Sequence, residues 1–387
     1  MKIHSVEAAW LHVPLPAAIQ HRSDFGQITA FDGVLVSVRT EDGAIGYGEA
    51  KPAVGSSGNG AALVAIVKQE LAPLLVGQDA SEIGALSQRM LNGSRAALAL
   101  RAGRAMPILG RRGTHQSAIA GVDLALWDLL GKVHDCSVLA LLGGACRPSI
   151  PAYASGGWAS AERLGEELGR YVEQGFRAVK MRVGAMDAGV HASVARVRAA
   201  RAALGPGIAL MADAHGTWTV AEAKAFCRMV EDCDLYWLEE PVTADDKAGL
   251  AEVRRSSAVP ISTGESEFTR HDFREIAELR GADVLQPDLA IAGGLTEGVR
   301  IGAIAAAYNL RLAPHLWSGA PAFAAGVALA ASQTTGFILE YSLGANPLLH
   351  ELVAEKFPVV DGYVAIPERP GLGITVDQSF VARYARQ

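Results

Sequence analysis

The feature that most constrains this chain is a cadence of polar residues. Lys180, Asp213, Glu239, Glu265, Asp288, His315 and Glu340 follow one another at intervals of 33, 26, 26, 23, 27 and 25 residues. Each closes or ends a short β-rich run: RAVKMRV, IALMADA, LYWLEEP, VPISTGE, DVLQPDL, LRLAPHL and FILEYSL. An eighth run, SIPAYAS, comes before them, and helical patterns separate the runs. Strict alternation of β and α implies parallel strands, and eight such units close a barrel. The C-terminal ends of those strands form one mouth, where such barrels place their chemistry. Buried charges are costly unless paired or bound to a metal, so packing alone does not account for a ring of them.

The first part of the chain reads differently. IHSVEAAWLHVPL and GVLVSVRTEDGAIGYGEA alternate like strands, and Asp42-Gly43 marks a hairpin turn. ALVAIVKQELAPLL, SEIGALSQRML and HQSAIAGVDLALWDLLGKV (115–133) carry helical periodicity. In the last of these Ile119, Val122, Leu126 and Leu129 share a face, and Gly131 lies near the end. Strands followed by helices predict a small α+β domain ahead of the barrel. A chain of 387 residues has room for both.

Composition narrows the function classes. A net charge of −6 gives no global attraction to nucleic acid or anionic membrane. One basic segment, 93–113, holds Arg95, Arg101, Arg104, Arg111 and Arg112, but it lacks interleaved aromatics and reads as a solvated face. Cys136, Cys146, Cys227 and Cys233 show no metal-type spacing and read as thiols in a reducing compartment. No apolar run is long enough for a membrane span, and the N-terminus lacks the apolar core of a signal peptide. A cytoplasmic enzyme with a small-molecule substrate is the expectation.

The ring implies its own chemistry. Asp213, Glu239 and Glu265 come from successive strands, and three converging carboxylates repel unless a cation joins them. Oxygen-only ligands favour Mg2+. In WLEEP only one of Glu239 and Glu240 can face inward, and periodicity leaves open which. Asp288 and His315 end adjacent strands, close enough for a hydrogen bond that would fix the imidazole tautomer and make His315 a general base. Lys180 and Arg182 share one face of their strand and suit an anionic substrate. Glu340, if protonated, would donate to a developing enolate oxygen. Metal, base and cations together suit removal of the proton α to a carboxylate, with the metal stabilising the enediolate.

SAIAGVDLALWDLLGK, GFRAVKMRVG, DAHGTWT, YWLEEP, TGES, QPDLAIAGGLTE and PHLWSG resemble, in order and spacing, blocks of the enolase superfamily and its mandelate racemase subgroup. The resemblance implies a modified (β/α)8 barrel, (β/α)7β, with an N-terminal α+β capping domain. The capping domain would take residues 1–120, the barrel 121–344, and residues 345–387 would return to the cap. It implies Mg2+ on Asp213, Glu239 and Glu265, which turns the Glu239/Glu240 choice toward the first. It also implies Asp288–His315 as acid/base dyad, Lys180 as contact to the substrate carboxylate and Glu340 as electrophilic partner. Segments 19–31 and 52–60 would cover the substrate, with His21 and Arg22 as candidate contacts, and the assembly would be a homo-oligomer.

This chain departs from the pattern at two positions. Arg182 stands where the subgroup usually has a second lysine acting as base, and a guanidinium is a poor proton acceptor. His215 stands where racemase-type members carry asparagine and some acid-sugar dehydratases carry histidine. Racemisation needs a base on each face of the α-carbon, whereas dehydration needs a base and an acid. The expectation is therefore a Mg2+-dependent sugar-acid dehydratase, making a 2-keto-3-deoxy acid from an aldonate or aldarate. His315 and His215 would divide the proton transfers, and Arg182 would clamp a carboxylate. The alternatives are a racemase or epimerase using His315 and Lys180, a syn elimination by His315 alone, or a non-catalytic sugar-acid-binding homologue.

Overall fold

The computed structural model describes residues 1–23, 26–51, 60–108 and 112–386, with only the backbone for 21–23. The side chains of His21 and Arg22, the segment 52–59 and Arg111 lie outside the described residues. The N-terminal strands are β1 (Ile3–Pro14), β2 (His21–Ser23), β3 (Gly26–Ile28), β4 (Ala30–Thr40) and β5 (Ile45–Ala50). β1, β4 and β5 form an antiparallel sheet, and β2 and β3 pair as a separate hairpin. Gly43 turns β4 into β5 at φ +89°, a region that glycine enters without steric penalty.

The helical run 62–75 contains a wider turn at Val67–Leu71, where the Ala72 N–H donates to Val67 O. Pro73 follows, and its ring lacks the N–H that a regular helix would use there. Helix Thr114–Val133 lies across the sheet with Ile119, Val122, Leu126 and Leu129 buried. The approach is close: a Cβ on Gly46 or Gly48 of β5 would sit 2.1 Å from a carbonyl of this helix. Gly131 does not end the helix. A Cβ there would lie 2.7 Å from Gly371 Cα, so the glycine admits the C-terminal segment.

This helix ties three parts of the chain together. Asp128 accepts from the Tyr47 N–H at 2.8 Å and the Leu372 N–H at 2.9 Å, and Asp123 accepts from the Thr296 N–H at 2.9 Å. Position 120/121 falls inside it.

The barrel strands are β6 (Ser149–Ser155), β7 (Ala178–Arg182), β8 (Ala209–Asp213), β9 (Leu235–Glu239), β10 (Ile261–Thr263), β11 (Val284–Leu285), β12 (Arg311–Leu312) and β13 (Leu339–Ser342). Neighbours from β6 to β12 pair in parallel, and β13 pairs in parallel with β6. Leu312 closes the ring, donating to Thr335 O at 2.9 Å and accepting from the Phe337 N–H at 3.2 Å. One helix separates each strand from the next, the (β/α)7β arrangement. Strands β14 (Val359–Val360) and β15 (Tyr363–Ala365) follow, and β15 pairs with the start of β6. Strand β16 (Ala385–Arg386) returns to β1 with Trp10 opposite Arg386.

Side-chain alternation explains how the mouth is floored. Ala178, Met211, Trp237, Val284, Ala313 and Ile338 pack with Tyr153 in one buried cluster inside the barrel. Each stands two residues before Lys180, Asp213, Glu239, Gln286, His315 or Glu340, so floor and functional layer share the inward face. The residues between them, such as Val179, Leu210, Ala212 and Leu238, face outward into the core beneath the helices. Deleting a large side chain such as Trp237 from the floor would cost about 3–5 kcal/mol.

Candidate active site

Asp213 and Glu239 end β8 and β9, and Glu265 follows β10 by two residues. One carboxylate oxygen from each lies within 4.8 Å of the others, and all three residues are buried. Glu239 is the inward member of its pair. Its Oε2 accepts from Trp237 Nε1 at 3.0 Å and Gln286 Nε2 at 2.7 Å, which aims the other oxygen at the cluster. The Oε2 of Glu265 is buried without a hydrogen bond among the described residues. Three hard anionic oxygens with one buried lone-pair set left over fit a divalent cation such as Mg2+.

Cations of the chain itself press on this cluster. Lys180 is fully buried, ion-paired with Glu239, 3.3 Å from Asp213 and 3.1 Å from Glu340. Burial alone would lower its pKa, but Glu239 and Glu340 outweigh burial and hold the ammonium protonated. Arg182 is ion-paired with Asp213. Its guanidinium also lies over the rings of Trp158 at 5.7 Å and Trp317 at 5.6 Å. The cation therefore packs beside a tryptophan pair that is itself in edge-to-face contact, 5.6 Å between ring centroids, a setting that suits a planar guanidinium better than a lysine.

Asp288 and His315 form the expected pair, with Nδ1 2.8 Å from Asp288 Oδ2. The Ala290 N–H donates to Oδ1 at 2.8 Å. Burial would raise the Asp288 pKa, yet Lys51 and His315 bring it down to about 2. An anionic Asp288 makes Nδ1 the protonated nitrogen and leaves Nε2 as acceptor. Nε2 points into the mouth, 3.3 Å from Glu265 and 3.6 Å from Glu340. Burial alone would lower the His315 pKa, but Glu265 and Glu340 raise it.

Glu340 can donate only when protonated, and its neighbours here include the cation of Lys180. Burial would raise its pKa, but Lys180, His315 and Arg182 outweigh burial and keep it an anion. Its Oε2 accepts from the Leu316 N–H at 3.0 Å.

His215 takes a left-handed backbone, φ +46°, and its N–H donates to Asp213 Oδ1 at 3.0 Å. That turn folds the ring back over the metal cluster, with Nε2 3.3 Å from Asp213 Oδ2. Glu240 on the next strand is also left-handed, φ +39°, and the Gly216 N–H bonds its carbonyl at 2.7 Å. Non-glycine residues in this region are strained and cluster at functional sites. Strands β8 and β12 are the third and seventh of eight, so His215 and His315 stand on opposite sides of the mouth.

Several site residues were not singled out from the sequence. Gln286 was legible, since it stands two before Asp288 and so on the same face. Trp158 and Trp317 carried no periodic signal. Lys51 of the capping domain carried none either, yet its Nζ lies 2.5 Å from Asp288 Oδ2.

The family models match on both sides of this site. The model described as mandelate racemase / muconate lactonizing enzyme, N-terminal domain, matches residues 5–143, and that described as enolase C-terminal domain-like matches 163–380. D-galactarolactone cycloisomerase of Agrobacterium fabrum is 30% identical over 91% of this chain and 90% of its own. D-galactonate dehydratase of Ralstonia pickettii is 34% identical over 92% of this chain and 91% of its own. A racemase from Streptomyces coelicolor, crystallised with bound magnesium, superposes with TM-score 0.85 at 32% identity, over 99% of this chain and 100% of its own. With models matched across most of its length and the barrel and cap they describe both present, this chain belongs to the mandelate racemase / muconate lactonizing enzyme family of the enolase superfamily.

Proposed function

We propose that the protein is a lyase that dehydrates a sugar acid, an aldonate or aldarate, to a 2-keto-3-deoxy acid, with Mg2+ on Asp213, Glu239 and Glu265. The observation that carries this reading is the pair of imidazoles on opposite sides of one carboxylate cluster. His315 Nε2 takes the proton from the carbon α to the carboxylate, while Asp288 holds the ring and the positive charge it acquires. His215 gives a proton to the β-hydroxyl, which departs as water as the C–O bond breaks, and the enol that remains becomes the 2-keto acid by gaining a proton at C3 and losing one from its hydroxyl. Arg182, packed beside Trp158 and Trp317, clamps a substrate carboxylate through its planar fork. Bound Mg2+ would supply electrophilic stabilisation of the negative charge that develops as the α-proton leaves.

Racemisation by two bases is less well supported. Arg182 is a poor proton acceptor, and Lys180 is held protonated by its carboxylate neighbours. The reading carries with it a cytoplasmic location and a homo-oligomeric assembly, the latter to be tested by analytical ultracentrifugation.

The test is a panel of sugar acids incubated with Mg2+ and followed by semicarbazide trapping of the keto product. D-Galactonate and D-galactarolactone, named in the relatives above, head the panel. Semicarbazone formation with at least one aldonate or aldarate is expected. No turnover across the panel, with racemisation of a simpler 2-hydroxy acid, would overturn the reading.

A further inference from the structure

The dyad carboxylate is not supported by the barrel alone. Asp288 Oδ2 sits between two donors, His315 Nδ1 at 2.8 Å and Lys51 Nζ at 2.5 Å. Lys51 directly follows β5, so it belongs to the capping domain. Its ammonium also donates to Trp317 O at 2.9 Å, and its backbone N–H reaches Ala290 O at 3.3 Å. Two residues earlier Glu49 accepts from the Gly319 N–H at 2.7 Å and the Ala322 N–H at 3.3 Å, at the start of helix Ala320–Ser332. The end of one cap strand is therefore pinned on both sides of the dyad, beside Ala290 and beside Ser318.

We propose that Lys51 is a positioning residue for the general base, a cap-domain cation that fixes the charge and orientation of Asp288 and through it the tautomer of His315. This rests on the function proposed above and extends it to a second domain. The donor inventory supplies the reason. An ammonium has three donors and no acceptor, so the oxygen it meets must accept. Asp288 is thereby presented to His315 as an anion, and Nδ1 must be the donor in that bond. Nε2 is left as the acceptor facing the mouth. Ser318 Oγ, 3.4 Å from Oδ2, is too distant and weak to replace the ammonium.

Lys51→Met keeps the length and removes the charge. On a substrate found by the panel, kcat is expected to fall about 10- to 100-fold, in the range for partners that orient a catalytic histidine, with KM changed less than about 2-fold. Lys51→Cys alkylated with 2-bromoethylamine restores an ammonium at nearly the original reach. It is expected to recover most of the lost kcat, measured against wild type alkylated in parallel to account for Cys136, Cys146, Cys227 and Cys233. A third readout needs no substrate. In protein labelled with 15N-histidine, the downfield Nδ1 proton that disappears in His315→Asn is expected to move upfield or vanish in Lys51→Met and return in the alkylated variant.

Unchanged kcat and an unchanged resonance in Lys51→Met, whatever the loss of thermal stability, would overturn the proposal and leave Lys51 a docking contact. If no sugar acid is turned over by wild type, the functional reading fails while the resonance still decides this one. Should Lys51→Met not fold, the alkylated and unalkylated Lys51→Cys pair is compared on the same two readouts, with the same outcomes deciding.

Discussion

The mouth of this barrel holds two histidines in unlike settings. His315 is backed by a carboxylate 2.8 Å away, and that carboxylate is in turn held by a lysine from the other domain. His215 is placed by a strained backbone turn, with its ring 3.3 Å from Asp213, a residue of the proposed metal site. One corner is assembled across the interface between cap and barrel. The other is built within a single strand-to-loop transition. In the proposed reaction the same side chain serves as base where an anion supports its distal nitrogen, and lies against the carboxylate cluster where Asp213 sits beside it. This is how one residue type can fill two roles in an elimination.

The largest effect expected in breaking this comparison is His315→Asn. Turnover should fall by about 10³- to 10⁴-fold, the scale of a lost general base, while Mg2+ binding by calorimetry stays intact. Turnover close to wild type would remove His315 from the base role. His215→Asn should lower dehydration by about 10²-fold yet leave exchange of the substrate α-proton in D2O, since the base on the other side is untouched. Loss of both reactions together would place His215 in the proton-abstraction step or in the metal site.

Arg182→Lys lies nearer the His215 corner and should act more gently. With the planar fork gone from beside Trp158 and Trp317, kcat/KM should drop about tenfold through KM. A rise in dehydration rate would count against the clamp.

The smallest effect concerns the cap-tied corner and stability. Burial pushes the Glu49 carboxyl up to about 7. Between the unfolded value, near 4.3, and about 7, the folded state holds a proton that the unfolded state lacks. Stability from this group is therefore greatest at the acid end of that window and declines as pH rises through it. In Glu49→Gln the slope disappears, so its Tm relative to wild type should improve from pH 5 to pH 8. A Tm difference independent of pH would show that Glu49 keeps one charge state in both forms.

Much of the His215 corner was legible in the sequence because it is local. Asp213, His215 and the strand that presents them lie in one short stretch, and period-2 alternation says which side chains share a face. The inward choice of Glu239 over Glu240 was not legible from alternation alone. It depends on strand register and on Trp237 and Gln286, which hold one carboxylate oxygen from below and from two strands away. The approach of Lys180 to Glu340, 3.1 Å across the first strand of the barrel, was not legible either, because it joins the second strand to the eighth.

The sequence by itself determined the alternation of strands and helices, the count that closes a ring, and which residue stands at each rim position. These follow from short-range periodicity and steric rules that act over a few residues. Only the tertiary structure decided that Arg182 lies beside a pair of tryptophans and that a lysine of the capping domain meets Asp288. Such contacts join segments far apart in the chain, and their energies depend on distance and burial, which emerge only when both domains have packed.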